Sequence, residues 1–176
     1  ILYYMNIEKP HPHVFILVVA FLLQFLFISP IGEFALNDGW VHTEIMKHWV
    51  DSGEFRMNPF SGPTFYVPIM YGAALVKMFG FSFSLLRIST LVLALFTLIL
   101  FYKLSTDITQ KPRLSFYATL LIWFNPIFYN LSFTFMTDIP ALFLIVAGLY
   151  SYYKGFKQKN SRWLLAGSVL AIIGMY

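Results

Sequence analysis

Residues 63–80, PTFYVPIMYGAALVKMFG, are apolar enough to cross a membrane and punctuated enough to lie on one. Which they do decides the fold, because it decides whether Asp38 and Asp138 face the same side. Pro63, Pro68, Gly72, Lys77 and Gly80 interrupt the run, whose length is at the short end of the spanning range of about 17–25 residues. The setting is hydrophobic. Of 176 residues, 59% are hydrophobic, 20% aromatic and 11% charged, and the mean hydropathy is +0.70. Soluble domains carry about 25% charged residues, so this chain has too little charge to coat a soluble globule. Long apolar runs, rather than alternation, argue against a transmembrane β-barrel. We therefore expect an all-α polytopic membrane protein. Cysteine is absent, which removes disulfides and thiolate metal sites.

Outward from residues 63–80, the apolar runs divide the chain. Span 1 is expected at 14–32, an uncleaved anchor with no small-residue cleavage site after it. Its one strongly polar interior side chain, Gln24, suits a helix–helix hydrogen bond. Span 2 is LLRISTLVLALFTLILFYKL, 85–104. Residues 114–153 hold a single formal charge, Asp138, and are long enough for two spans of about 20 residues. They read as a hairpin, 114–135 and 139–153, with Asp138 at its tip. Asn125-Pro126 falls inside the first arm, where neighbours can re-satisfy the backbone. A fifth span, 162–176, is shorter than a crossing, so the chain is expected to be the N-terminal part of a longer transmembrane domain.

Loop charge arbitrates the topology. Residues 103–113 carry Lys103, Lys111 and Arg113 against Asp107, and 154–162 carry Lys154, Lys157, Lys159 and Arg162 with no acid. Both are expected to be cytoplasmic. Residues 33–62 hold five acids and two bases, Lys47 and Arg56. The preferred arrangement has 63–80 lying at the surface as an interfacial helix and 33–84 as one external loop. The N-terminus is then cytoplasmic, and Asp38 and Asp138 share the external face. If 63–80 crosses, they face opposite sides.

Within residues 34–55, FALNDGWVHTEIMKHWVDSGEF, the pattern from Trp40 to Asp51 reads as a short amphipathic helix. Val41, Ile45 and Trp49 recur on one face, and Glu44, Lys47, His48 and Asp51 on the other. Glu44–His48 and Lys47–Asp51 are i,i+4 pairs, and Gly53 fits a C-terminal cap. The plain reading of Asp38 is an N-cap of this helix, and of Asp138 a cap before Ile139-Pro140. Capping does not explain why both acids sit at membrane boundaries, where ionisable groups are functional hypotheses. Glu44, His48 and Asp51 are better read as a solvated face than as metal ligands. His11 and His13 read as a lead-in to span 1, and Asn130-Leu-Ser132 as a chance glycosylation match. There is no phosphate-cradling glycine loop, HExxH or GxSxG, and no evident internal repeat.

The order of these features resembles a known family. NDGWVHTEIMKHWVDSGEF follows span 1, GPTFYVPIMYGAALVKMFGFS is a Pro-led apolar segment ending in FG, LLRISTLVLALFTLILFYKL starts with an Arg-bearing turn, and FTFMTDIP places an acid before Pro. Over roughly residues 14–160 this resembles the type C (GT-C) membrane glycosyltransferases, nearest the protein O-mannosyltransferases, the aminoarabinose transferases and their bacterial relatives. The resemblance implies GT-C-like helices with a juxtamembrane external loop. It implies inverting transfer of a sugar from a polyprenyl-phosphate donor to a lipid, glycan or protein acceptor at the external or lumenal face. Asp38 matches the general base, and Asp138 the second acid that shapes the site. Gly39 stands where many relatives have Glu. The Lys that meets the carrier phosphate in some relatives is missing before the Pro-led segment, so Arg56, Lys77 and Arg87 become substrate-binding candidates, together with His42. No nucleic acid partner and no cofactor is implied, and a divalent metal is left open. A bacterial plasma membrane is the expected location. Asp is a weak base in water, and burial against Trp40 is the expected means of activating Asp38. The alternative function is a transporter or flippase for a lipid-linked or amphipathic solute, with 63–80 crossing. A non-catalytic scaffold, in which both acids are only caps, is the third.

Overall fold

The computed structural model describes residues 12–61 and 66–174. The expectations for Pro63, His11 and Tyr176 fall outside these. Among the described residues there are eight α-helices and no strand, so the all-α fold class holds. The helices are α1 (Pro12–Leu23), α2 (Gly39–Ser52), α3 (Tyr66–Phe79), α4 (Phe83–Thr109), α5 (Pro112–Trp123), α6 (Pro126–Ser132), α7 (Asp138–Gln158) and α8 (Ser161–Ile173).

Helices α4 and α7 are long and apolar enough to cross a membrane. They run parallel. At their C-terminal ends Lys154 pairs with Asp107 at 3.6 Å, and the Tyr153 hydroxyl donates to the Asp107 carbonyl at 2.7 Å. The basic residues of 103–113 and 154–162 gather at this end. Large apolar side chains such as Phe15, Leu121 and Phe156 face outward, as a lipid-facing surface requires.

Local chemistry changes two of the expected spans. The first helix ends in a 3₁₀ turn at Gln24–Leu26 rather than running to 32. Pro30 lacks an N–H and pushes the residue before it out of the helical region. Gln24 is buried, and neither side-chain polar atom has a hydrogen-bond partner among the described residues. The helix–helix bond expected of it is not made there. The 114–135 arm is two helices, not one. The Asn125 side chain accepts from the N–H groups of Ile127 at 2.9 Å and Phe128 at 3.3 Å, and Pro126 occupies the first turn of α6. This cap-plus-proline signal starts a new helix. His13, expected in a loose lead-in, lies in α1, within 3.2 Å of the Tyr102 hydroxyl.

Helix α3 has 14 residues, about 21 Å at about 1.5 Å per residue, against a hydrocarbon core of about 30 Å. It packs on α2 instead, and its length favours the surface-lying reading. Ile69, Ala73 and Val76 of α3 join Val41, Ile45 and Met46 of α2, with Leu86 and Phe135, in one buried cluster. A second cluster fills the bundle, built from Leu17 and Phe21 of α1, Leu91, Ala94 and Leu98 of α4, Trp123, Phe133 and Ile139. The α6–α7 connection thus sends Phe133 into one core and Phe135 into the other, with buried Thr134 between them.

The loop from α1 to α2 is tied down by charge. The Glu33 carboxylate accepts from the Ser84 hydroxyl at 2.7 Å, the Ser82 hydroxyl at 2.8 Å and the Phe83 N–H at 2.9 Å. It therefore covers the N-terminal N–H groups of α4, where negative charge is favoured. The Ser84 hydroxyl, then Ser82 and the Phe83 amide, lower its pKa from 4.5 to about 2. Buried Arg87 holds the same loop from below, donating to the Pro30 carbonyl at 2.8 Å and the Phe34 carbonyl at 3.0 Å.

Two outcomes are expected. Truncating Phe135 to Ala should cost about 3–5 kcal/mol, read as a lowered unfolding midpoint in detergent. A carboxyl whose folded pKa is depressed stabilises fully above its unfolded pKa and loses that contribution as pH falls through the folded value. The advantage of wild type over Glu33→Gln in thermal melts should therefore persist above pH 4.5 and shrink between pH 4.5 and about 2. A gap that stays constant across that range would contradict it.

Candidate active site

Asp38 and Asp138 lie at the same end of the bundle, opposite the Lys154–Asp107 pair. Asp38 occupies the N-cap position of α2 with φ −77° and ψ 9°, but its carboxylate makes no capping hydrogen bond. Asp138 is not a cap at all. Thr137 holds that position, and Asp138 is the first helical residue of α7. The plain capping reading therefore fails for both side chains.

What draws the two helix starts together is a glycine. A Cβ on Gly39 would meet the Phe135 carbonyl oxygen at 3.2 Å, so α2 begins directly against the backbone that leads into Asp138. At position 39 this chain has the residue that lets two backbones touch. Gly72 does the same beneath, since a Cβ there would run into the Met46 sulfur and the Phe135 ring. Asn37, at φ 51°, turns the chain into α2. Its side-chain amide donates to Asn130 of α6 at 3.4 Å, a second tie between the loops.

His42 stands one turn beyond Asp38. It is 9% exposed, and its Nδ1 has no hydrogen-bond partner among the described residues. Burial lowers its pKa below 6.5, while the charges of Asp38 and Asp138 both oppose the shift. Burial wins, so the ring is neutral at pH 7. That opposition also shows that both carboxylates lie within electrostatic reach of one imidazole.

Asp38 itself is exposed, as is Trp40. The expected burial of Asp38 against Trp40 is not provided. The buried residue between them is Gly39, because successive helix positions are about 100° apart and Gly39 takes the face toward Phe135. Asp138 is also exposed and borders an apolar groove of about 520 Å³ lined by Leu121, Ile122, Phe128, Leu131 and Leu142. That groove contains no Lys or Arg.

The other candidates are placed elsewhere. Arg56 and Lys77 line two further depressions that contain neither aspartate. The Arg87 guanidinium is 4% exposed and engaged with two loop carbonyls. The side-chain pairs expected along α2 do not form. Glu44 accepts from the Asn58 amide at 2.6 Å, and Lys47 lies 5.6 Å from the Phe81 ring centroid. Among the described residues no group of three or more His, Asp or Glu side chains could hold a metal ion. The sequence reading missed the Asn37–Asn130 tie and the division of Phe133 and Phe135 between two cores. The alternation FTF at 133–135 was the available signal for the latter.

Comparison with known proteins places this geometry in context. The family model described as dolichyl-phosphate-mannose-protein mannosyltransferase matches residues 67–176. The matched region runs from α3 to the end of the chain, includes Asp138 and begins after Asp38. No curated protein and no solved structure matches the chain. Since the match spans well over half of this helical, lipid-facing chain, the protein belongs to the dolichyl-phosphate-mannose-protein mannosyltransferase family, membrane glycosyltransferases of mannosyltransferase type.

Proposed function

We propose that this protein moves a sugar from a polyprenyl-phosphate carrier to an acceptor hydroxyl, with inversion at the anomeric carbon and Asp38 as general base. One observation carries the reading. Two carboxylates, neither spent on capping, share one end of the bundle and act on one buried imidazole. The acceptor oxygen attacks the anomeric carbon on the face opposite the phosphate. Its proton passes to the Asp38 carboxylate, the bond from the anomeric carbon to the phosphate oxygen breaks, and polyprenyl phosphate leaves. A well-placed base contributes about 10²–10⁴-fold. Asp138 offsets positive charge developing on the sugar, as carboxylates do in oxocarbenium-like transition states. His42, neutral and without a partner at Nδ1, offers the sugar a hydrogen-bonding ring.

The groove beside Asp138 supports the donor assignment. Its lining is mostly apolar, with Asn125 and Asp138 as the polar members, which suits a lipid tail carrying a sugar head. The basic loops at the far end of the bundle support an orientation with that end cytoplasmic and the aspartates outside. Arg87 is best read as a positioning residue, holding the loop that delivers Asp38, rather than as a phosphate ligand.

In the full-length protein in lipid, Asp38→Asn should lower transfer from polyprenyl-phosphate mannose by at least about 10²-fold while leaving insertion and the unfolding midpoint intact. Wild-type turnover by that variant would remove Asp38 from the mechanism. Gly39→Val should force α2 off the Phe135 backbone. Overpacking of this kind costs about 1–3 kcal/mol, and it should reduce transfer more than it reduces the affinity for donor, since it displaces the base from its partner acid. An unchanged kcat would show that the Gly39 contact does not set the site.

A further inference from the structure

At the end of the bundle away from the aspartates lies a cavity that no step of sugar transfer uses. Its volume is about 550 Å³, and it is lined by His13 of α1 and by Lys111, Pro112, Arg113 and Leu114 at the start of α5. The lining holds two fixed cations and no acid. Asp107, the one acid of residues 103–113, is engaged elsewhere, with Lys154 at 3.6 Å. Lys111 and Arg113 are exposed, and neither has an ion-pair partner among the described residues.

The turn that presents these cations is held from behind. Gln110 ends α4 at φ 57°, and its side-chain amide donates to the Asp107 carbonyl at 2.6 Å. The Lys111 N–H donates to the Thr109 hydroxyl at 3.2 Å. The Lys111 carbonyl accepts from the hydroxyl of buried Ser115 at 3.2 Å and from its N–H at 3.1 Å. Pro112 fixes the next φ. On the facing wall, His13 Nδ1 lies 3.2 Å from the Tyr102 hydroxyl, and its ring centroid lies 5.2 Å from that of Phe116. The walls are therefore fixed, while two cationic side chains are left without a protein counter-charge.

Depth and surface indicate what supplies that charge. Helix α4 has 27 residues, about 40 Å at about 1.5 Å per residue. The hydrocarbon core is about 30 Å thick, and about 40–45 Å with the headgroup layers. A turn just beyond the C-terminal end of α4 thus lies at headgroup level. From the cavity an apolar strip runs along α5. Leu114 lines the cavity, and Tyr117 and Leu121 follow three and seven residues later on the same face. All three are open, at 54%, 62% and 76% exposure.

We propose that this cavity binds the phosphate of an anionic phospholipid, whose acyl chains lie along the Leu114–Tyr117–Leu121 strip. Arg113 offers a planar fork to two phosphate oxygens, and Lys111 a point charge. Basic pockets between spanning helices suit such headgroups. A free phosphate shares the headgroup chemistry but would leave the strip bare, and a zwitterionic choline headgroup would bring a third cation to the first two. The site requires that this end of the bundle meet a bilayer surface. It does not require Asp38 to be the base, so the two readings stand or fall separately.

The test places the full-length protein in nanodiscs of phosphatidylcholine and phosphatidylglycerol in equal amounts. Lipids that stay bound on release are counted by native mass spectrometry. Wild type should retain phosphatidylglycerol in preference to phosphatidylcholine. Arg113→Gln should lower that preference about fivefold, and Lys111→Gln/Arg113→Gln about 30-fold. The unfolding midpoint of both variants in lipid-free detergent should match wild type, because neither cation has an ion pair to lose. Lys157→Gln/Arg162→Gln removes the same charge from the same end but outside the cavity, and should leave the bound lipid in place. Inorganic phosphate should not displace it. The proposal is overturned if wild type retains the two lipids equally, or if the cavity variants hold phosphatidylglycerol as wild type does. It is also overturned if the Lys157/Arg162 pair matters as much, which would mean diffuse surface charge, or if inorganic phosphate displaces the lipid, which would mean a free-anion site.

Discussion

The site depends on one close contact, the start of α2 lying against the backbone at Phe135. A backbone can approach another backbone this closely only where no Cβ intervenes, and Gly39 supplies that gap. Beneath it the Phe135 ring is buried among α2 and α3 side chains, next to Gly72. Ring and glycine act on the same short segment from two sides. Together they hold the start of α2 against the segment that leads into Asp138. Helices separated by about a hundred residues of chain are brought into register by two residues that carry no charge.

The remaining polar groups at that end hold this arrangement rather than perform chemistry. Glu33 satisfies the N-terminus of α4 from a distant loop, and Arg87 holds the same loop through two carbonyls. Near a membrane such groups must be satisfied internally, because lipid offers no partners. The result is a division of labour. Charges with several close partners build the frame, and the two carboxylates without a capping role are left facing outward. Buried His42 differs from Glu33 and Arg87, because its Nδ1 has no partner among the described residues while two carboxylates act on it.

Much of this was legible in the chain. The all-helical membrane class followed from composition, and the short α2 followed from the recurrence of Val41, Ile45 and Trp49. Gly53 ends α2 as expected, at φ 75° with its N–H on the Trp49 carbonyl. The errors share a cause. Asp38 and Asp138 look like caps because Asp before a helix is usually one, yet whether a carboxylate turns back to its own N–H groups depends on side-chain rotamer and neighbours. The split at Asn125 is visible as a cap followed by Pro, but the apolar run continues through it and makes a single span with a tolerated Pro the expectation. The pairs Glu44–His48 and Lys47–Asp51 were reasonable for an isolated helix, but Asn58 and Phe81 offered better partners from outside it.

The sequence by itself determined the class of molecule, the positions of most helices and the two acids worth testing, because burial period, punctuation and charge are local properties of a chain. Only the tertiary structure decided that Asp38 and Asp138 share one end, that neither is a cap, and that Arg87 holds a loop. Those are facts about distance between residues far apart in sequence. They are set by which side chain fills which gap, and no single segment carries that information.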